Sequence, residues 1–346
     1  MPSQGRGQPC SLISWRAACF KAKAVACWRW ANFLESLNSA GQPELHVNLD
    51  ETSVKLFVPP RPGFVAEPCP KRRRLLLQGR GGPDLSTKRA AVTLVACACD
   101  DERVQKLLPQ VFVLNEHVLS NAEVADLRAK CGDAVLVTRR RSSWVNAPLM
   151  VELVKVLATC LREELKNRHI VLHMDVFAAH FHSSVLKACA DAGFYVHFIP
   201  ASVTSSLQPL DTAVFAKFKR WASGEIERCR LASADGQLSR AETLDVWRRG
   251  VDHVIRSQGW RRAFEHCGLV RQQHGLSASL ASRVCSGSSP AVGSDFPSLS
   301  DLQAVFPTNR NIPVDFLFQT AVDKEKAAHA VRLRTKSRLP RLRALL

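Results

Sequence analysis

Three aspartates occur where regular secondary structure is expected to end or begin, and together they could bind divalent cations. Asp50 lies near the end of an alternating run, Asp175 directly follows an apolar run, and Asp211 comes two residues after Pro209. Carboxylate oxygens suit Mg²⁺ and Mn²⁺, and Mg²⁺ in particular keeps several of its waters. Two such ions about 3.5–4 Å apart can activate a water or hydroxyl and stabilise the leaving oxygen of a phosphodiester.

The segment that carries Asp175 and Asp211 predicts alternating strands and helices. The order is strand 170–174, helix 182–191, strand 195–199, loop 201–208 and a helix from 211 to about 230. Ligand sites in such α/β units gather at the carboxyl ends of the strands. The alternation of apolar and polar residues over 45–53 predicts one more strand, with Asp50 near its end. We expect the strands that carry Asp50 and Asp175 to be neighbours in one sheet.

The rest of the central region predicts more strands of the same sheet and helices that cover it. The clearest buried strand ends in a run of apolar and β-branched residues bounded by two aspartates, and one later helix carries leucines at helical spacing. The fold class expected is therefore α/β, a mixed sheet flanked by helices. These further elements are strands 88–99, 111–114 and 134–138, a helix over 148–165, and two helices within 241–269.

Four motifs in order give this region a specific resemblance. They are LDET around Asp50, DVFAAH from Asp175 to His180, FIPASVTSSLQPLD ending at Asp211, and VFAKFK from Val214 to Lys219. Thirty-five residues separate the second and third aspartates. In this order and spacing the region, roughly 45–269, resembles the DDE superfamily endonuclease domain. This is the transposase domain of the mariner–pogo group, shared with Tigger, jerky and centromere protein B relatives.

The resemblance implies an RNase H-like fold and a metal-dependent reaction on DNA. Asp50, Asp175 and Asp211 would be the catalytic triad and the ligands of Mg²⁺ or Mn²⁺, and the activity would be DNA strand cleavage and transfer. Val176 departs from the family, which commonly has Asn there; this removes a polar side chain but no metal ligand. Glu51 is not expected to be a ligand, because successive strand residues point to opposite faces.

Two further residues are predicted to assist the triad. His180 fits the family pattern, and two roles stay open for it: it positions a phosphate, or it caps the following helix. Gln208, in the loop before Asp211, is the second auxiliary candidate.

The charge of the chain indicates a polyanionic partner. Its 346 residues carry 48 Lys and Arg against 31 Asp and Glu, a net charge of +17 with a pI near 9.7, so nucleic acid is the expected partner. The basic run 71–74 could also be a nuclear import signal, which predicts a nuclear location. An alternative for each basic segment is that it is simply exposed to solvent. The predicted DNA contacts are Lys71, Arg72, Arg73, Arg74, Lys88, Arg139, Arg140, Arg141, Lys217 and Lys219.

Several other classes of protein do not fit the sequence. The twelve cysteines are scattered without a Cys-x-x-Cys pair, so neither a zinc site nor a disulfide scaffold is indicated, and reduced thiols are expected. The chain has no apolar window of about 18 residues, so we expect no membrane span.

The predicted organisation has four parts. A helical lead-in covers 1–44, the endonuclease domain 45–270, a flexible Ser- and Gly-rich linker 271–300, and a basic, helical, partly disordered C-terminal extension 301–346. Related transposases place helix-turn-helix modules before the catalytic domain. The lead-in is too short for a pair of them, so the partners expected besides DNA are a second copy of this chain or a separate chain that recognises the DNA ends.

Two functions of different classes remain open from the sequence. The first is a transposon-derived endonuclease that cleaves and transfers DNA strands. The second is a domesticated or decayed DNA-binding protein that keeps the fold without the chemistry. All three acids are retained, which favours the first, whereas the missing module that reads DNA ends favours the second.

Overall fold

The computed structural model describes residues 42–56, 92–199, 203–233 and 236–269. Six strands lie in these ranges: β1 (Glu44–Val54), β2 (Val92–Cys99), β3 (Gln110–Asn115), β4 (Val135–Arg140), β5 (His169–Asp175) and β6 (Tyr195–Ile199). They form one sheet in the order β4-β3-β2-β1-β5-β6. The linker 271–300, the tail 301–346 and nearly all of the lead-in 1–44 lie outside the described residues, so the four-part organisation stays a prediction.

The sheet is mixed, and its central strand is β1. Strand β2 runs antiparallel to both β1 and β3, whereas β1, β5 and β6 are parallel neighbours, as are β3 and β4. Parallel strands bring their carboxyl ends to the same edge of a sheet. Strands β1 and β5 are adjacent, so the expected neighbourhood of the strands that carry Asp50 and Asp175 is confirmed, as is the predicted α/β class with a mixed sheet flanked by helices.

Helices cover the sheet and contain the predicted apolar faces. The helix expected over 148–165 is divided, because the backbone leaves helical geometry at Leu161 (φ −101°, ψ 14°). A π-helical segment, Leu210–Val214, leads directly into α7, and another, Val251–Arg256, follows α8. The α-helices are α1 (Glu102–Gln105), α2 (Asn121–Lys130), α3 (Ala147–Cys160), α4 (Arg162–Asn167), α5 (Ser183–Asp191), α6 (Thr204–Leu207), α7 (Phe215–Ala232), α8 (Arg240–Gly250) and α9 (Arg261–His266).

Strand β1 is buried on both faces, and the two faces differ in chemistry. Leu45, Val47 and Leu49 occupy one face with almost no exposure. Each such side chain contributes about 1.5–3 kcal/mol through burial, which fixes the strand in the core. The other face carries His46, Asn48, Asp50 and Thr52, all buried and polar. The second face therefore holds a row of polar side chains inside the protein, where they need specific partners.

The α7 helix packs closely against α8 beside the sheet. Phe215, Phe218 and Ile226 are buried on α7. A Cβ atom on Gly250 of α8 would lie 3.0 Å from the Phe218 ring and 3.1 Å from Trp221, so a larger residue would require these rings to shift. Among the described helices, none combines the length and apolarity that crossing a bilayer requires.

Candidate active site

Two of the three predicted acids lie at the same edge of the sheet. The last paired residues of β1 and β5 are Asn48 and His173. Asp50 and Asp175 each follow two residues later, so strand alternation points both toward one face of the sheet. Asp50 is buried at 7% exposure, whereas Asp175 is only partly covered. Asp211 is exposed in the first turn of the π-helical segment that precedes α7.

The three carboxylates affect one another electrostatically. Burial, followed by the negative charges of Glu51, Asp211 and Asp175, raises the pKa of Asp50 well above its ordinary value. Partial desolvation and then the charge of Asp175 also raise the pKa of Asp211. Carboxylates that disfavour each other's charge are a donor set that a cation stabilises, since its positive charge removes the repulsion.

The geometry of the acids fits a hydrated cation better than a closed cage. Within the four described ranges, no three His, Cys, Asp or Glu side chains converge closely enough to hold a metal ion by themselves. Mg²⁺ does not require such a cage, because it usually retains waters and uses one or two carboxylates plus substrate phosphate oxygens. The residue types therefore fit a divalent cation, with water and substrate oxygens as its remaining ligands.

Asp175 is held by two donors on one of its oxygens. His180 Nδ1 lies 2.7 Å from Asp175 Oδ1, and the Phe177 N–H donates to the same oxygen at 3.0 Å. In the part of the chain that the structure describes, no protein donor reaches Oδ2, which leaves that oxygen available as a ligand. Burial alone would raise the pKa of Asp175, but the hydrogen bond and charge of His180 outweigh it and lower the pKa below its ordinary value.

His180 connects Asp175 to Glu51. Its Nε2 lies 3.1 Å from Glu51 Oε1, and the imidazole is completely buried. Burial alone would lower the pKa of His180, but the two carboxylates outweigh it and raise the pKa to about 10. The ring is therefore an imidazolium that donates from both nitrogens. Glu51, which strand alternation directs to the face opposite Asp50, is occupied by this contact.

Of the two roles left open for His180, helix capping is wrong. The N-cap of α5 is His182, whose side chain accepts a hydrogen bond from the Ser184 N–H. His180 is not placed to bind a phosphate either, because both of its ring nitrogens already face carboxylates inside the protein. Its observed contacts orient Asp175.

Gln208 is completely buried three residues before Asp211. Neither its amide oxygen nor its amide nitrogen has a hydrogen-bond partner among the described residues. An unsatisfied buried polar group costs about 1–3 kcal/mol. The auxiliary role predicted for Gln208 remains a prediction, and this amide has unused hydrogen-bonding capacity.

Two of the predicted DNA contacts lie on α7 and differ in their surroundings, and five others lie outside the described residues. Lys219 is exposed, and its charge lies within electrostatic range of Asp211 and Asp50. Lys217 donates to Gln258 at 2.7 Å and lies over the Trp260 ring. Lys71, Arg72, Arg73, Arg74 and Lys88 lie outside the described residues.

The three arginines at the end of β4 are not equivalent. Arg139 donates to the carbonyl oxygens of Leu119 and Glu116, so its guanidinium serves the fold. Arg140 pairs with Glu152 at 2.6 Å. Only Arg141 is almost fully exposed, at 93%. The motif of three adjacent arginines does not predict which of them is exposed, because strand alternation and the neighbouring loop determine the contacts of each side chain.

Taken together, the fold and the acids define an α/β protein with a carboxylate cluster at the edge of its mixed sheet. The family model of the DDE superfamily endonuclease matches residues 89–246, which include Asp175 and Asp211. This match confirms the predicted resemblance to the family over these residues. Asp50 precedes the matched range.

The structures similar to this chain are complexes of Mos1 transposase. They include the paired-end complex with the left transposon end (14% identity, TM-score 0.34, 67% of that chain) and the mariner paired-end complex with Mn (14%, 0.35, 67%). A third is the strand transfer complex (15%, 0.32, 67%), and each match covers 78% of this chain. No curated protein gives a significant match.

Proposed function

We propose that this chain is a transposon-derived endonuclease that cleaves DNA and transfers the cut strand, with Asp50, Asp175 and Asp211 as the ligands of Mg²⁺ or Mn²⁺. The observation that supports this most is the placement of two of the acids at one edge of the sheet. The parallel pairing of β1 with β5 directs Asp50 and Asp175 to one edge of the sheet, and the pKa shifts of Asp50 and Asp211 show mutual repulsion.

The chain's own residues would prepare the acids for this chemistry. When bound, divalent cations would supply Lewis-acid stabilisation of the phosphodiester and lower the pKa of a water or of a DNA 3′-hydroxyl. His180 and the Phe177 N–H fix Asp175 through Oδ1, so that Oδ2 can serve as a ligand. Exposed Asp211 marks the open side of the cluster, where a DNA phosphate could approach.

DNA binding is proposed from charge and from relatives. The net charge of +17 suits a polyanion, and Lys219 and Arg141 are exposed cations. The similar Mos1 structures are complexes with transposon ends. Binding of this kind should fall steeply between about 50 and 200 mM salt with little sequence preference, because phosphate contacts release counterions. Affinity that ignores salt would contradict this part of the proposal.

The partners and location follow as further parts of the same proposal. A second copy of the chain, or a separate chain that recognises DNA ends, would complete a transposition complex. Nuclear import through 71–74 would bring the protein to its DNA. Size-exclusion chromatography with light scattering tests the dimer, and a fluorescent fusion with 71–74 replaced by alanine tests the import signal.

A second function is favoured by one observation. The described side chains do not form a closed metal cage, which also suits a DNA-binding protein that keeps the fold without the chemistry. Nicking of a supercoiled plasmid by purified protein, with Mg²⁺, Mn²⁺ or EDTA, separates the two. Metal-dependent nicking that disappears in Asp175→Asn supports the endonuclease, and salt-sensitive DNA binding without any nicking supports the binding protein.

A further inference from the structure

We propose that Asn48 is the positioning residue that joins the three segments carrying the aspartates; this inference rests on the proposed function. Asn48 is completely buried. Its Nδ2 donates to the carbonyl oxygen of His173 at 3.0 Å, and its Oδ1 accepts from the Leu210 N–H at 2.9 Å. One side chain thus contacts both of the other segments from β1.

The contacts of Asn48 are close in sequence to each acid. Asn48 itself is two residues before Asp50 on the same face of β1. His173 is two residues before Asp175, and Leu210 directly precedes Asp211. Each side-chain hydrogen bond of Asn48 ends within two residues of a proposed ligand, so a shift of this side chain changes the spacing of all three.

The contact with Leu210 provides a helix cap from a distant part of the chain. The first N–H groups of a helix have no partner within it, and a side chain usually supplies one. Here the residue at the cap position is Pro209, which makes no side-chain cap hydrogen bond. Asn48, 162 residues earlier, supplies the acceptor and so fixes the start of the segment that carries Asp211.

Asparagine is the residue type that this junction requires. A carboxamide provides a donor for one carbonyl and an acceptor for one N–H in a single planar group. Aspartate would lose the donor and place another negative charge in a cluster whose acids already repel one another. Alanine would leave the His173 carbonyl and the Leu210 N–H without this partner.

A matched control exists at Gln105 on α1. It is also completely buried, accepts from the Cys99 N–H at 2.7 Å and donates to the Cys97 carbonyl at 3.1 Å. Asn48→Ala and Gln105→Ala therefore each delete one buried amide that donates to one backbone carbonyl and accepts from one backbone N–H. Only the first deletion removes contacts of the segments that carry the three proposed ligands.

The experiment measures Mn²⁺ affinity of the purified chain by electron paramagnetic resonance, together with thermal unfolding in EDTA. We expect both variants to unfold at lower temperature, and only Asn48→Ala to bind Mn²⁺ about 10–100-fold more weakly, the usual effect of removing a group that orients ligands. Equal Mn²⁺ affinity of wild type and Asn48→Ala would overturn the inference alone. A wild type that binds no Mn²⁺ would refute the proposed function, and the inference would fall with it.

A second variant covers the case in which Asn48→Ala does not fold. Asn48→Gln retains both hydrogen-bonding groups but is one methylene longer, so it changes the spacing rather than the chemistry. Weaker Mn²⁺ binding in a folded Asn48→Gln protein supports positioning. Wild-type affinity in that variant overturns it.

Discussion

The buried imidazolium of His180 should be one of the largest single electrostatic contributions to the stability of this domain. His180→Ala removes both of its contacts, the one to Asp175 Oδ1 at 2.7 Å and the one to Glu51 Oε1 at 3.1 Å. The two carboxylates would then lose their shared cation in a region of low exposure. Breaking a buried charged pair by removing one partner costs about 3–5 kcal/mol.

The pKa of His180 gives the same magnitude and adds a pH dependence. In the folded protein its pKa is about 10, against about 6.5 for an unperturbed histidine. At about 1.36 kcal/mol per pH unit, this difference corresponds to a few kcal/mol. A group whose pKa is raised by folding stabilises the protein fully at a pH below its unfolded pKa. This stabilisation is lost as the pH rises, so the contribution of His180 should disappear between about pH 6.5 and 10.

Urea denaturation in EDTA, repeated from pH 6 to pH 10, measures this contribution. We expect wild type to exceed His180→Ala by a few kcal/mol at pH 6 and by much less at pH 10. His182→Ala is the matched control, because this exposed neighbour only caps α5, and losing a cap costs about 0.5–2 kcal/mol. A stability difference for His180→Ala that stays constant with pH would refute a charged His180.

Four further outcomes are expected. Asp175→Asn should abolish metal-dependent nicking while DNA binding in a filter assay stays equal or becomes slightly tighter, because a negative charge facing phosphates is removed. Lys219→Ala should weaken binding to all DNA sequences alike and reduce the salt slope by about one. Gly250→Ala should destabilise the fold by about 1–3 kcal/mol in urea denaturation, since the added methyl group would press on Phe218 and Trp221. Mn²⁺ binding should release protons and tighten as the pH rises, because the raised pKa of Asp50 favours its protonated form; calorimetry in two buffers of different ionisation enthalpy measures this.

The frame of the site could be predicted from sequence because it depends on local patterns. An apolar run that ends at Asp175 and an alternating run that contains Asp50 each specify a strand, and both strands formed. The pairing of β1 with β5 was predicted from the order and spacing of the acids, although three strands lie between β1 and β5 along the chain. The family resemblance, carried by the motifs around these acids, supplied the RNase H-like class.

The contacts that orient the acids could not be predicted in the same way. Glu51 and His180 are separated by 129 residues, and Asn48 and Leu210 by 162. No periodicity relates such positions, since their approach depends on how β1, β5 and the segment before α7 pack together. Capping was one of the two roles left open for His180, a polar residue close before a helix, but His182 occupies the cap.

The charges around the acids leave a negative charge that the proposed cation would neutralise. By strand alternation, Glu51 leaves the face that Asp50 occupies, and His180 neutralises much of the charge that Glu51 and Asp175 share. Asp50 and Asp211 keep raised pKa values, although Lys219 partly offsets the charge of Asp211. Among the described residues, the carboxylates of Asp50, Glu51, Asp175 and Asp211 thus interact with two cationic side chains, His180 and Lys219. The remaining negative charge is concentrated where the proposed ligands lie. A divalent cation would neutralise that remainder, and a bound DNA phosphate would restore the negative charge that a second cation requires.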